Sequence, residues 1–279
     1  MTSKEGTILI PIEDLNQIMV HGANIRLSTM DLSILSQNKV GVVTFDEKYL
    51  PTAMVLPFEG HARQSKLMHA QVCTASEKYR ELWMEIILAK ICNQARALSI
   101  LGSSGSEDVF RYAEQLTTEN VDYNEALAAK TYFSFYHEGL NRRTDDPVNS
   151  RLNYGYAVVR SYIARSLVCI GFHPTFGIHH DSQLNAFNLA DDLIEPYRPI
   201  VDLTAHDNIG SNIFLTKKER NELAYVLHNA CSLSGVKMNV MAAVEQTCES
   251  LKRIILENSA EALKLPVVLP VERLEGITE

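Results

Sequence analysis

The chain has 279 residues, 46% hydrophobic and 22% charged, which suits one large or two modest globular domains with ample core. A net charge of −8 at pH 7 argues against free, non-specific nucleic-acid binding, which usually needs a basic surface. No apolar run approaches the ~18 residues of a membrane helix, and the opening MTSKEGTILIPIEDL has too short an apolar stretch, with acids behind it, for a secretory signal.

In chain order, TILIPI, NQIMVHG, KVGVVTF and TAMVLPF are short, apolar and β-branched, and predict strands within the first seventy-odd residues. Between the second and third, STMDLSILSQN predicts a short helix with Ser28 as its N-cap. Residues 1–75 are therefore expected to form a small β-rich domain. From Ser76 the texture changes. SEKYRELWMEIILAKICNQARALSIL carries an apolar stripe at Leu82, Ile86, Leu88, Ile91 and Ala95. Further helices are expected at SEDVFRYAEQL, NEALAAKTYFSFYHE, SRLNYGYAVVRSYIARSLVCI, LTKKERNELAYVL and VKMNVMAAVEQTCESLKRIILEN. Thr216 and Glu219 have capping-box spacing. The last fifteen residues, with LPVVLPVERLE, read as an extended tail. The expected fold class is α+β, a small β domain followed by a larger all-α domain over 76–279. Cys73, Cys92, Cys169, Cys231 and Cys248 are scattered without a C-x-x-C pair and predict reduced, mostly buried thiols of a cytoplasmic protein.

Metal-type ligands fall in three places. Glu125 opens a predicted helix beside Ala126, Ala128 and Ala129, where an acid also simply complements the helix dipole. His179 and His180 lie in GFHPTFGIHHDSQ, whose glycines and proline forbid a regular helix. Asp191, Asp192 and Glu195 start ADDLIEPYRPIVD. Pro196 fits only a first helical turn, so this helix is expected to begin near Ala190 or Asp191, with Asp192 at its N-terminal end. One imidazole with two carboxylates suits Mn²⁺ or Mg²⁺ better than zinc, in a site useful for phosphoryl chemistry. Spacing alone does not bring Glu125 to the others. Arg142, Arg143, Arg151, Arg160 and Arg165 form a local basic track opposed by Asp145 and Asp146, with a solvated charged face as the alternative.

EALAAKTYF, PVNSRLNYGYAVVR, GFHPTFGIHH and NAFNLADDLIEPYRPIVD occur in an order and spacing that resembles the CRISPR adaptation integrase family, and NIRLSTMDL, VTFDEKYLPTAMVLPF and GHARQ look like its N-terminal domain. The aspartate segment is similar to the type II branch. The resemblance implies a β-sandwich domain followed by a helical one, and a metal-dependent endonuclease and integrase that inserts short DNA beside a CRISPR repeat. In that reaction a DNA 3′-hydroxyl attacks a repeat phosphodiester. It implies Glu125, His180 and Asp192 as catalytic ligands of Mn²⁺ or Mg²⁺, with His179 and Asp191 as neighbours. It makes Arg142, Arg143 and Arg151 candidate phosphate contacts on double-stranded DNA. Asn153, Tyr154 and Tyr156 then pack around the site or bond a ligand carboxylate. The implied assembly is a homodimer, two of which flank a central dimer of a second small adaptation protein, with no membrane involved. Relatives begin with an additional pair of strands, so a shortened sandwich is expected. Glu195 has three open roles: a ligand through water, a salt bridge to Arg198, or a cap.

Two other readings compete. HHD at 179–181 and His206-Asp207 suggest a His-Asp-type metal phosphohydrolase, although such enzymes place the doublet on a helix of an all-α bundle. A non-catalytic DNA-end-binding scaffold would bind DNA without regard to metal.

Overall fold

The structure is a computed structural model that describes residues 2–3, 6–7, 9–22, 24–58, 61–207, 209–210 and 212–271. It opens with a two-residue antiparallel pair, β1 (Thr2–Ser3) and β2 (Gly6–Thr7). Of the run TILIPI, Thr7 ends β2 and the stretch from Leu9 to Ile12 is not strand. Leu9 and Ile10 are exposed, Pro11 has no N–H to give a ladder, and Ile12–Asp14 is a 3-10 turn; Ile8 lies outside the described residues.

The first larger sheet has three strands in the order β3 (Gln17–Val20), β4 (Gly41–Phe45), β5 (Pro51–Val55). β3 and β4 are parallel, which demands a crossover, and α1 (Thr29–Gln37) supplies it. Ser28 caps α1 as expected, in a reciprocal capping box with Asp31. Strand alternation gives the sheet two apolar faces. Ile18, Val20 and Val42 join Leu35 of α1 in a small core, whereas Met19, Phe45 and Met54 pack against the main helical core. That second face rests on the helix Pro147–Ile170, where Gln17 Nε2 donates to Ser161 Oγ (2.8 Å) and Arg165 Nε donates to the Lys39 carbonyl (2.9 Å). A helix not expected from composition, α2 (Gln64–Cys73), follows β5. GHARQ enters it, Gly60 lying outside the described residues.

The helical region contains α3 (Ser76–Ile100), α4 (Ser106–Glu114), α5 (Val121–Tyr136) and α6 (Pro147–Ile170). Then come α7 (Asn188–Ile194), a 3-10 turn (Glu195–Tyr197), α8 (Arg198–His206), α9 (Lys217–Ala224) and α10 (Val240–Glu257). The stripe expected on α3 holds at Leu82, Ile86, Ile91 and Ala95, but Leu88 faces outward. α6 is buried nearly all round and is the central post of the molecule. Its start is fixed by Asp146, whose carboxylate accepts from Asn149 N–H, and by Pro147 in the first turn. Gly155 lets α8 close on it, because a Cβ there would lie 2.5 Å from Val201 Cγ1. The Thr216–Glu219 capping box starts α9 as its spacing predicts.

The all-α expectation for this region is corrected. A second three-stranded sheet, in the order β7 (Val236–Asn239), β6 (Ala230–Leu233), β8 (Pro266–Val268), sits among the helices. VKMN, read as the start of a helix, is β7, turned back by Ser234 and Gly235 at φ 51° and 82°. Part of the expected extended tail is β8, paired to β6; its residues 272–279 lie outside the described residues. Asn93 of α3 fastens this strand. Its amide donates to the carbonyls of Pro196 and Pro266 (both 2.8 Å) and accepts from Val268 N–H (3.2 Å). All five cysteines are free thiols, three of them buried. No helix among the described residues is long and apolar enough to cross a membrane.

Candidate metal centre

Four charged side chains, one each from α3, α5, the 3-10 turn and α8, meet in one cluster. Glu125 lies beyond the first turn of α5, so complementing the helix dipole is not its role. Its Oε1 accepts from Lys90 Nζ of α3. The same Nζ stands 2.5 Å from Glu195 Oε2, and Arg198 Nε donates to Glu195 Oε1 at 2.8 Å. Glu195 opens the 3-10 turn between α7 and α8, with a side chain only 8% exposed. Burial alone would raise its pKa, but the Arg198 and Lys90 charges draw it down to about 2. Of the three roles left open for Glu195, the salt bridge to Arg198 is present.

The histidine loop between α6 and α7 is held from three sides. Gln71 of α2 donates to the carbonyls of His173 and Phe176 and accepts from His173 N–H. Asn188 donates to the carbonyls of Thr175 and Ser182. Asp192, fully buried, closes the third side. Its Oδ2 accepts from the N–H groups of Ile178 (2.5 Å) and His179 (3.1 Å), and its Oδ1 from His180 N–H (3.1 Å) and His180 Nδ1 (2.6 Å). Gly177 makes this closure possible, since a Cβ there would lie 2.2 Å from the His180 carbonyl oxygen and 2.7 Å from Asp192 Oδ2. Trp83 of α3 forms the floor. Its indole N–H donates to Asp122 (3.0 Å), its ring stacks on His179 at 4.2 Å between centroids and 1° between planes, and His180 stands edge-on to it. The hydrogen bond to Asp192 raises the His180 pKa against the opposing effect of burial, and Glu195 and Asp191 add to the rise.

This geometry separates the carboxylates expected to act together. A carboxylate offers about four lone-pair positions, and those of Asp192 meet four donors inside the loop. The expectation that Asp192 is a metal ligand does not fit, because its oxygens are spent on the backbone and on His180. Asp192 also sits in the second half of α7 rather than at its start, because Pro196 belongs to the following 3-10 turn and does not mark where α7 begins. Glu195 is the buried acid beside Glu125. Among the described residues, no three His, Cys, Asp or Glu side chains stand close enough together to hold a metal ion as they are placed. The donor set nonetheless fits one. Glu195 is buried, a cation already lies between it and Glu125, and His180 has the imidazole–carboxylate pairing typical of metal-bound histidines.

Residues 1–233 match the family model described as CRISPR associated protein Cas1. The chain belongs to the Cas1 family. The CRISPR-associated endonuclease Cas1 of Neisseria meningitidis serogroup C is 32% identical over 271 residues, covering 95% of this chain and 89% of the relative. A second relative of the same description, from Pyrobaculum aerophilum, is 27% identical and covers 83% of this chain and 85% of its own. Among solved structures, a casposase bound to an integration product aligns with a TM-score of 0.75 at 18% identity, over 95% of this chain and 84% of that one. A Cas1 protein from Thermotoga maritima aligns at 0.70 and 16%, over 92% and 91%. These last two likenesses concern the fold. The Neisseria match is consistent with the type II-like resemblance of the Cas1 sequence.

The arginines of this Cas1 chain divide by burial. Arg143 is exposed. Arg142 is half-buried: its guanidinium donates to Asn149 and Asn153 and lies over the rings of Phe133 and Tyr156. Arg151 is 1% exposed, with Nε donating to the Ala205 carbonyl (3.0 Å) and Nη1 to Glu219 (3.4 Å). It ties α6 to α8 and α9, so the expectation of a DNA contact there is corrected. Arg160 pairs with Asp191, which accounts for that aspartate without a metal. Tyr156 and Tyr132 both donate to the buried carboxylate of Asp202, and Tyr136 donates to its carbonyl. Tyr156 thus packs as expected but bonds a different acid. His180 and Asp181 lie in a loop and His206 ends α8 edge-on to Tyr136, which leaves no helical His-Asp doublet of the phosphohydrolase kind.

Proposed function

We propose that the chain is a metal-dependent DNA endonuclease and integrase that inserts short duplexes beside a CRISPR repeat. The observation that carries this reading is the Glu125–Lys90–Glu195 cluster, with Lys90 and Glu195 buried, next to an Asp192-bound His180, in a chain of the Cas1 family. Glu125, Glu195 and the Nε2 of His180 would hold Mn²⁺ or Mg²⁺. Such an ion polarises a phosphodiester and lowers the pKa of an attacking hydroxyl. The 3′-hydroxyl of the incoming strand bonds to the repeat phosphorus as one repeat P–O bond breaks, and this one-for-one exchange needs no protein nucleophile. Asp192 fixes the His180 ring, Arg198 holds Glu195, and the Trp83–His179 stack keeps the loop flat against α3. Arg142 and Arg143 are the remaining candidates for DNA phosphates.

The partners follow from the same reading. They are double-stranded DNA, a second copy of this chain, and a central dimer of a second small adaptation protein. The casposase bound to an integration product and a Cas6-RT-Cas1–Cas2 complex of similar fold support the reading. We also assign residues 1–75 to an N-terminal β-sandwich-type unit and 76–279 to the catalytic unit.

The test mixes purified protein with a supercoiled plasmid carrying a CRISPR leader and repeat, a short duplex with free 3′-hydroxyls, Mn²⁺ and the second adaptation protein. Joined products that vanish with His180→Ala are expected. DNA binding without joining, indifferent to metal, would instead favour a scaffold.

A further inference from the structure

Lys90 lies between the two acids that the metal reading requires. It is 8% exposed, on the same face of α3 as the buried Ile86, Ile87 and Ile91, a position where an ammonium is costly unless paired. Its Nζ reaches both Glu125 and Glu195, while Arg198 holds the other oxygen of Glu195. Two carboxylates, one ammonium and one guanidinium sum to zero charge. A divalent cation added to that set would leave an excess of two positive charges in a buried site, which low-dielectric surroundings penalise strongly. Something must leave, and Arg198 is fixed by its ion pair and by stacking on the Tyr156 ring at 4.6 Å.

We propose that Lys90 is a resident counter-ion that bridges Glu125 and Glu195 and withdraws when a divalent cation binds. The inference rests on the metal reading of this site. The lysine stem is long and flexible, and the Glu125 side of the cluster, 26% exposed, offers a way to solvent along which such a head group can extend. Lys90 is thus a positioning residue. It stabilises the empty site and weakens the affinity for the ion, so that the centre is neither collapsed without metal nor permanently loaded.

The test compares wild type, Lys90→Met and Lys90→Arg by thermal unfolding in EDTA and in Mn²⁺, and by calorimetric Mn²⁺ titration, with Glu195→Gln as the ligand-loss control. Lys90→Met is expected to unfold below wild type in EDTA, to recover in Mn²⁺, and to bind Mn²⁺ at least about tenfold more tightly, since one close like charge is gone. Lys90→Arg is expected to behave as wild type in EDTA. Equal Mn²⁺ affinity in wild type and Lys90→Met, with no thermal recovery, overturns the proposal while leaving the metal site standing. Absence of Mn²⁺ binding in every variant overturns both. Should Lys90→Met fail to fold, amine acetylation of wild type read by mass spectrometry decides. Lys90 is expected to be protected in EDTA and labelled in Mn²⁺, and protection in both overturns the inference.

Discussion

His180 Nδ1 lies 2.6 Å from Asp192 Oδ1, and the same carboxylate accepts the N–H groups of Ile178, His179 and His180. One buried acid therefore shapes the loop and orients its histidine together, with Nδ1 facing inward and Nε2 directed away from Asp192. A loop built this way couples folding to ligand geometry at a single side chain.

The two residues should accordingly fail differently. His180→Ala removes a ring whose side chain is 45% exposed, and joining should disappear with stability close to wild type. Asp192→Ala strands three backbone donors and should cost about 3 kcal/mol or more, measured by urea unfolding. Equal stability of the two variants would refute the anchoring role.

Trp83 is the single tryptophan of the chain, so its emission reports directly on the histidine loop. His179→Ala should change emission intensity and wavelength and cost about 1 kcal/mol, the usual scale of a stacked aromatic pair. Mn²⁺ should perturb the emission in wild type but not in Glu195→Gln. A spectrum that ignores His179→Ala would mean that the stack does not persist in solution.

Asp202 provides a pH signature. Burial raises its pKa to about 6, against the pull of the Tyr156 and Tyr132 hydroxyls. Between about 4 and 6 the folded protein keeps a proton that the unfolded chain releases. The contribution is full below the unfolded value and is lost as pH rises through about 6, an effect of about 3 kcal/mol for a two-unit rise. Asp202→Asn should flatten that part of the stability profile relative to wild type. Parallel profiles for the two proteins would exclude the assignment.

Arg151 and Arg143 give a contrast between packing and DNA binding. Arg151→Met breaks a buried pair and should destabilise by about 3 kcal/mol, with the salt dependence of DNA affinity unchanged in the folded fraction. Arg143→Glu should leave the melting temperature alone and weaken DNA binding, most at low salt, with a shallower salt dependence than wild type because one phosphate contact is lost. The reverse pattern would move Arg151 back to the DNA surface.

Much of the fold was legible where local chemistry is self-contained. The Ser28 and Thr216 caps, the α3 stripe and the alternating apolar runs of β3, β4 and β5 all act within a few residues of themselves. Where tertiary pairing decides, local pattern does not distinguish helix from strand. VKMN is as compatible with a helix as with a strand until β6 is beside it, although Ser234-Gly235 between two apolar runs is a hairpin signal that could have been used. For the proposed site, motif order picks out Glu125 and His180 as candidates. Sequence cannot tell that Asp192 is consumed by backbone donors while Glu195, a turn later, faces the cluster, because that choice depends on where the loop folds back. Lys90 left one trace: it interrupts the buried face between Ile86 and Gln94.

Asn93 binds Pro196 on one side and the strand Pro266–Val268 on the other, and it lies one turn along α3 from Lys90. The far end of the chain is therefore a buttress for the turn that carries Glu195. Cutting the protein after Leu265 would spare every residue discussed as a ligand and yet unseat the wall they stand against. Trimming designed to obtain a minimal catalytic fragment should stop no earlier than Val268.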